Sequence, residues 1–409
     1  MAIKTFWTIG FRDLVRNRRR TIATIVAVAL GLMVIMLMAG MLKGMVDSGL
    51  RDNIRIYTGH LQLRDESYEV EKMSLLARDL LEQPQTLAAQ IEMLPETKSA
   101  APVLWASTVL STARESAGLQ IWGIDPASPF YEPLRLGLVE GSYLTADSRG
   151  EILLGKRLAD EIDISVGQRV SLATGDSNGA IGDALFTVAG IFNTGFASYD
   201  QSSVIMPIAQ AQSLTRTGDR ASTIIVTLHD RDDTAAVAAQ LAAPGYTILT
   251  WEDLNQLLLT LMETGGAFYY IIYIIVILVV AVLIANTLLM SVFERTREMG
   301  ILASLGMKQR QIMLMVLLEA VILSLIGIAI GLVLGLGSVA YLSSVGFNLG
   351  EDTAGLMENM AMGSRLYPAM APDQFLILSL LMLAIVTLVS VYPAWVAARM
   401  EPVEALHAF

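Results

Sequence analysis

Cysteine is absent from the 409-residue chain, histidine occurs three times, and charged residues make up only 16% of it. Without cysteine there is no disulfide framework, no thiol nucleophile and no thiolate metal site. Three histidines supply no metal-ligand spacing. A soluble domain carries about 25% charged residues, so charge is also scarce. The balance is acidic, 28 Lys+Arg against 39 Asp+Glu. That is the wrong sign for a nucleic-acid partner. A hydrophobic fraction of 54% excludes an intrinsically disordered chain.

The apolar residues that replace charge are concentrated in four blocks, at 21–42, 264–293, 312–345 and 374–398, the third broken only by Glu319. Crossing a hydrocarbon core of ~30 Å takes about 20 apolar residues in a helix, and each block is long enough. The first is too long for the h-region of a secretory signal and lacks a small-residue cleavage site. Four transmembrane helices are therefore expected. Lys and Arg in short flanking segments set orientation. Residues 1–20 hold Lys4, Arg12, Arg16, Arg18, Arg19 and Arg20, and the loop 294–310 holds Arg295, Arg297, Lys308 and Arg310. The opposite loop, 350–373, has Arg365 among four carboxylates. Both termini and the 294–310 loop are thus expected in the cytoplasm, with residues 43–263 outside. Before the first span, Ile3, Phe6, Trp7, Gly10, Phe11 and Leu14 share one helical face. This predicts a basic amphipathic helix over 1–20 on the inner membrane surface.

The outside segment, 43–263, carries 16 basic and 29 acidic residues and is long enough for one large domain or two small ones. Alternation predicts a strand over 55–64, a helix over 85–94 and a strand over 99–112. Near the far end, 222–228 reads as a strand, 234–242 as a helix and 246–249 as a strand. Two strand–helix–strand units flank a glycine-rich, β-rich insert at about 118–215. An α+β sandwich is the simplest packing for them.

Two motif matches fail on their mechanics. Residues 150–157 (GEILLGKR) fit a phosphate-binding loop until the last position, where Arg157 replaces the hydroxyl that would hold Mg²⁺. The segment reads as a turn from a strand into a helix near Lys156. Residues 175–179 (GDSNG) match G-x-S-x-G, but their small, polar surroundings suit a loop rather than a nucleophile elbow.

Polar and small residues inside the spans carry more. Gly327, Gly331 and Gly335 stand four apart, share one helical face and allow close approach of another helix, whose identity the spacing leaves open. Asn286 and Glu319, polar within apolar blocks, are expected to be buried against the protein and paired. Glu319, near the cytoplasmic end, could equally serve as an interface anchor. The loop 294–310 reads as a short amphipathic helix with an apolar strip of Ile301, Leu302 and Leu305, ended by Gly306. Such a helix suits insertion into a partner's groove, although composition alone favours an ordinary solvated loop.

Residues 294–312 (ERTREMGILASLGMKQRQI) resemble the E-R-T-R-E-x-G-I-L-x-A-L-G-x-x-x-x-Q-I segment of ABC-transporter permeases of the MacB/LolC–LolE/FtsX family. Residues 392–406 (YPAWVAARMEPVEAL) resemble that family's tail, and residues 11–21 (FRDLVRNRRRT) its entry to the first span. Residues 154–159 (LGKRLA) with Val166-Gly167-Gln168 resemble an element of its outside domain, Gln168 standing where Asp is usual. The resemblance implies a membrane protein with one plus three spans and a large extracytoplasmic α+β domain, a porter-like part carrying a β-rich insert. It implies a non-catalytic permease of the inner membrane, working as a dimer with a second copy or a close paralogue. ATP-Mg would be bound by two copies of a cytoplasmic ATPase and no cofactor by this chain. Because only twenty residues precede the first span, the ATPase is expected on another polypeptide. By the same resemblance the coupling helix and its approaches include Glu294, Arg295, Arg297, Glu298, Gly300, Ile301, Leu302, Leu305 and Gly306. Lipoprotein or lipid release is the first expectation for cargo. Export with an adaptor protein and signalling to cell-wall hydrolases are the alternatives.

Overall fold

A computed structural model describes residues 18–69, 75–112, 114–348, 365–370 and 372–399. Most of the expected N-terminal amphipathic helix, the methionine-rich loop up to Met362 and the tail beyond Arg399 lie outside the described residues. The chain divides into two compact units: Met1–Asp47 with Leu261–Phe347 and Arg365–Phe409, and Ser48–Thr260 with Asn348–Ser364.

The first unit is helical. Its elements are α1 (Arg18–Asn53), α2 (Gln256–Glu294), α3 (Thr296–Ser304), α4 (Gln309–Val345) and α5 (Pro372–Ala398). Among the described residues, four stretches are long and apolar enough to cross a membrane: Thr21–Thr58, Gly266–Glu294, Gln309–Val345 and Pro372–Ala398. Helix α1 outlasts its apolar block, running past Lys43 to Asn53. Val28, Leu32, Ile35, Met36 and Ala39 of α1 pack with Tyr273, Ile277, Val280 and Ile284 of α2, with Ile328 and Val339 of α4, and with Phe375, Met382 and Val386 of α5. Their spacing follows the helical period, so each helix contributes one stripe. Hydroxyls in the apolar interior are satisfied within their own helices: Ser379 donates to the Phe375 carbonyl at 2.7 Å and Ser390 to that of Val386 at 2.6 Å.

The glycine row of α4 meets α1. A Cβ on Gly327 would lie 2.7 Å from Val28 Cβ, one on Gly331 would lie 2.9 Å from the Ala29 carbonyl oxygen, and one on Gly335 would lie 2.7 Å from Met36 Sδ. Three successive turns of α4 therefore rest on the surface of α1, the close approach that small residues permit between membrane helices. At Gly331 the obstacle is backbone and cannot rotate away. Gly331→Val should destabilise the unit by roughly 1–3 kcal/mol and lower the thermal midpoint of the detergent-purified protein. Gly337→Ala, on the same helix with nothing within 4 Å of its added carbon, should leave that midpoint unchanged or raised, since alanine favours helix by about 1 kcal/mol.

The second unit is built on a split βαβ frame. Strands β1 (Leu61–Asp65), β2 (Leu81–Glu82), β3 (Thr97–Ser111), β4 (Ser116–Ile124), β5 (Leu138–Gly141) and β6 (Glu151–Gly155) come first. Then follow β7 (Arg169–Gly175), β8 (Ile181–Phe192), β9 (Ser203–Pro207), β10 (Arg220–Ala221), β11 (Thr223–Leu228) and β12 (Tyr246–Thr250). Neighbours run in the order β12-β1-β11-β3, all antiparallel. The helices Pro84–Glu92 and Thr234–Leu241 bury Ala88, Ile91 and Val237 against Leu61, Leu63, Ile224 and Val226. This interleaves the two strand–helix–strand units, the ferredoxin-like arrangement.

The β-rich insert is a closed barrel. Strand β3 pairs with β11 through Val103, and from Leu104 onward with β4 and β7. The ring continues β4-β9-β6-β8-β7 back to β3, with β4–β9 and β6–β8 parallel. One 15-residue strand thus serves both substructures. The failed phosphate-loop match is the turn from β6 into the helix Lys156–Glu161, where a Cβ on Gly155 would collide with the Asp200 backbone. The G-x-S-x-G match forms the β7–β8 hairpin turn. Its flanks, expected as loop from Ala173 to Ile181, are strand because Ala173–Gly175 pair with Ile181–Asp183.

The strand expected over 55–64 starts late. Ile54–Thr58 is a π-helical turn on the end of α1, closed by Gly59 at φ +65°. Alternation of Ile56 and Thr58 against Tyr57 misled because Tyr57 is held by aromatic contacts, 5.1 Å from Trp122 and 6.4 Å from Phe196 between ring centroids. His60 then ties three elements. Its amide donates to the Val226 carbonyl at 2.9 Å, its Nδ1 accepts from the Leu228 amide at 2.8 Å, and its carbonyl accepts from Trp251 at 2.9 Å. Burial pushes the imidazole below the ordinary histidine value, with Arg231 and Lys98 adding to the effect and Asp230 opposing it. A protonated Nδ1 could not accept the Leu228 bond. The stabilisation is therefore complete above the unfolded histidine value of about 6.5. It falls away as pH drops below that value, where the unfolded chain binds the proton more readily. Thermal melts should show this loss between pH 7.5 and 5.5 in the parent protein, and a flatter profile in His60→Asn, which keeps an acceptor but cannot titrate.

Candidate functional site

The 294–310 loop becomes a capped helix. α2 ends at Glu294, and Arg295, at φ −106° and ψ 14°, breaks it from α3. Thr296 turns its hydroxyl back to the Phe293 carbonyl at 2.7 Å. At the other end the Gly306 amide bonds the Ala303 carbonyl at 3.0 Å and the Met307 amide that of Leu302 at 3.1 Å. With Gly306 at φ +94°, this is the paired-bond glycine stop of a helix C-terminus. α4 begins at once, with Gln311 Oε1 accepting the Lys308 amide at 2.9 Å.

One face of α3 is buried. Met299 and Gly300 are covered, and Met299 with Ala303 packs on Val292, Ile312, Val316, Ala394 and Ala397. This seats α3 on the ends of α2, α4 and α5. The other face is open: Ile301 is 44% and Leu305 79% exposed, with Leu302 half-buried and Arg297 and Glu294 exposed. Arg297, Ile301 and Leu305 are four apart and form one outward row.

Under that row lies a buried ion-pair cluster. Arg295, 6% exposed, reaches Glu319 Oε2 of α4 with a terminal guanidinium nitrogen at 3.2 Å and Glu298 Oε2 of α3 with Nε at 3.1 Å. One planar cation thus links the helix break, α3 and α4. The paired reading of Glu319 holds: its side chain is 10% exposed and bonded to Arg295. Burying such charges is costly, and the cost is recovered only while both partners remain. Asn286, expected to be buried, is exposed on α2. The residues α2 buries, Val280, Ile284 and Leu288, follow the helical period and place position 286 on the opposite side. Met299 and Ala303, which seat the helix, drew no notice in the sequence. Their only signal was a second period of small and flexible residues beside the more hydrophobic strip.

Two family models match. The MacB-like periplasmic core domain covers residues 21–243, and the FtsX-like permease C-terminal covers residues 270–402. The chain belongs to the MacB/LolC–LolE/FtsX family of ABC-transporter permeases. It is 24% identical over 424 aligned positions to the lipoprotein-releasing system transmembrane protein LolC of Xylella fastidiosa strain Temecula1, with 97% of each chain covered. It is 22% identical to the LolC protein of Neisseria meningitidis serogroup B, over 75% of this chain and 77% of that one. A shorter stretch of 67 residues, 16% of this chain and 10% of the other, is 45% identical to the macrolide export ATP-binding/permease protein MacB of Brucella abortus. Permeases of this family are non-catalytic transmembrane subunits, and membership implies an ATPase partner.

Removing one member of the buried cluster should cost more than removing both. Glu319→Leu should destabilise the helical unit by about 3 kcal/mol and increase tryptic cleavage after Arg297 as α3 loosens. The double variant Arg295→Met/Glu319→Leu should recover most of the thermal midpoint.

Proposed function

We propose that this chain is the inner-membrane subunit of a transporter that releases or moves lipidated cargo at the outer leaflet, driven by a separate cytoplasmic ATPase that grips α3. The observation carrying this reading is the two-sided construction of α3. Its inner face is seated on three helix ends and locked by Arg295, while Arg297, Ile301 and Leu305 stand outward as an unfilled apolar row with a charged edge. A rigidly based amphipathic helix suits insertion into a partner's groove. The Lys and Arg bias of the short loops supports a cytoplasmic position for α3 and both termini, with Ser48–Thr260 outside.

On this reading two ATPase subunits bind ATP-Mg, and closure of that pair displaces α3. Because α3 is tied to α4 through Arg295 and Glu319, the displacement enters the helical unit as a whole rather than being lost in a loose loop. A second copy of the chain or a close paralogue completes the permease. Cargo moves mechanically outside the membrane, without a tunnel through it. Lipoprotein is the cargo favoured by a likeness to LolC that runs the length of both chains, whereas the likeness to MacB is local.

Aspartate at both exposed positions, Ile301→Asp with Leu305→Asp, should lower the ATPase recovered with the affinity-purified permease at least tenfold and leave the thermal midpoint near that of the parent. In liposomes loaded with a lipoprotein, the parent complex should release it on addition of ATP and the variant should not. Full ATPase recovery in the variant would reject the docking role. An adaptor or a cell-wall hydrolase copurifying in place of lipoprotein would reject the cargo.

A further inference from the structure

Asn286 sits on α2 eight residues before Glu294, about 12 Å of helix from its end, within the stretch Gly266–Glu294. It is exposed, and among the described residues its amide makes no hydrogen bond. Its neighbour Thr287 is satisfied, donating to the Leu283 carbonyl at 2.7 Å. An amide facing hydrocarbon without a partner costs several kcal/mol, and lipid tails offer none.

The surface around it is ordered. Phe268, Ile272, Ile275, Val279, Val282, Asn286, Leu289 and Phe293 are spaced alternately four and three apart. All are exposed except Leu289, which is half-buried. This is a heptad seam in which Ile272, Val279, Asn286 and Phe293 hold a and the others hold d. It is separate from the stripe of Tyr273, Ile277, Val280, Ile284 and Leu288 that α2 spends on its own chain. A period of 3.5 keeps one seam in register along two supercoiled helices, and a single asparagine at a fixes register and strand number.

We propose that the α2 helices of two copies of this chain pair in parallel along this seam, with Asn286 bonded to Asn286 of the second copy across a two-fold axis. Two copies share one orientation in a membrane, so the pairing is parallel. An amide carries both donor and acceptor, so it complements itself in an interface where the same patch faces the same patch. The inference rests on the reading of the permease as a dimer and adds the helix and residue that join it.

The chain has no cysteine, so single cysteines report without background. In native membranes holding the full complex, Val279→Cys and Val282→Cys should form oxidative dimers of twice the chain mass. Yields should be at least tenfold above those of Leu278→Cys and Leu388→Cys, which are 59% and 73% exposed. Combined with Val282→Cys, Asn286→Leu should reduce the yield at least threefold and Asn286→Gln should preserve it. Equal yields in those two backgrounds would remove the amide's role. A complex with two copies by native mass but cross-links at the control positions would overturn the seam and leave the dimer standing. A complex with one copy would overturn both, and a paralogue in place of the second would overturn the pairing of identical copies and leave the dimer standing.

Discussion

A buried guanidinium at a helix break governs what the loop between the second and third long helices can do. Arg295 is covered on all but 6% of its surface and holds carboxylates from α3 and α4 together. Without that cation the buried Glu319 carboxylate would lose its guanidinium partner and α3 its tie to α4, and α3 would have reason to leave its seat. With it, a nine-residue helix, too short to be stable alone, is held against Ile312, Val316, Ala394 and Ala397 with its open row fixed in direction. A solvated loop could bind a partner, but it would absorb a push rather than pass it on.

The same economy of movement marks the rest of the helical unit. Packing at Gly327, Gly331 and Gly335 brings α4 onto the backbone of α1 at two of its three points, and close-packed interiors shift as bodies rather than deform. In the second unit, strand β3 is shared by the split βαβ frame and the barrel. The π-helical end of α1 is pinned through Tyr57 and His60 to the barrel aromatics and to β11. Strand β3 does two duties at once, so neither the frame nor the barrel can be displaced without the other.

Much of this was legible because membranes impose strict rules. Four apolar blocks, a glycine row and a polar residue in each of two spans are direct consequences of length, packing and dielectric. The two strand–helix–strand units followed from period, since strands 99–112 and 222–228 and both helices carry clean patterns, whereas their interleaving into one sheet depends on pairings distant in the chain. Other features depended on partners distant in the chain. The spacing of Gly327, Gly331 and Gly335 could not name α1. Barrel closure required β3 to pair with β4 and β7 at once, which no local pattern records. The π-turn at Ile54–Thr58 displaced a well-alternating strand because aromatic contacts from Trp122 and Phe196 outweigh local preference. Glu319 was visible as a polar residue but its partner was not, because Arg295 looked like one more cytoplasmic charge. Asn286 was read as inward because burial is the usual answer for an amide in a span, yet the period of its own helix turns it outward.

The central claim, that the outward row of α3 is the surface through which a nucleotide-hydrolysing subunit drives this permease, is tested most directly by placing a photo-reactive amino acid at Leu305 and irradiating intact cells. The account predicts a cross-link to the ATPase subunit that disappears when the label is moved to the buried Met299. Cross-links from Leu305 to lipid alone, or to a protein on the outer side of the membrane, would contradict it.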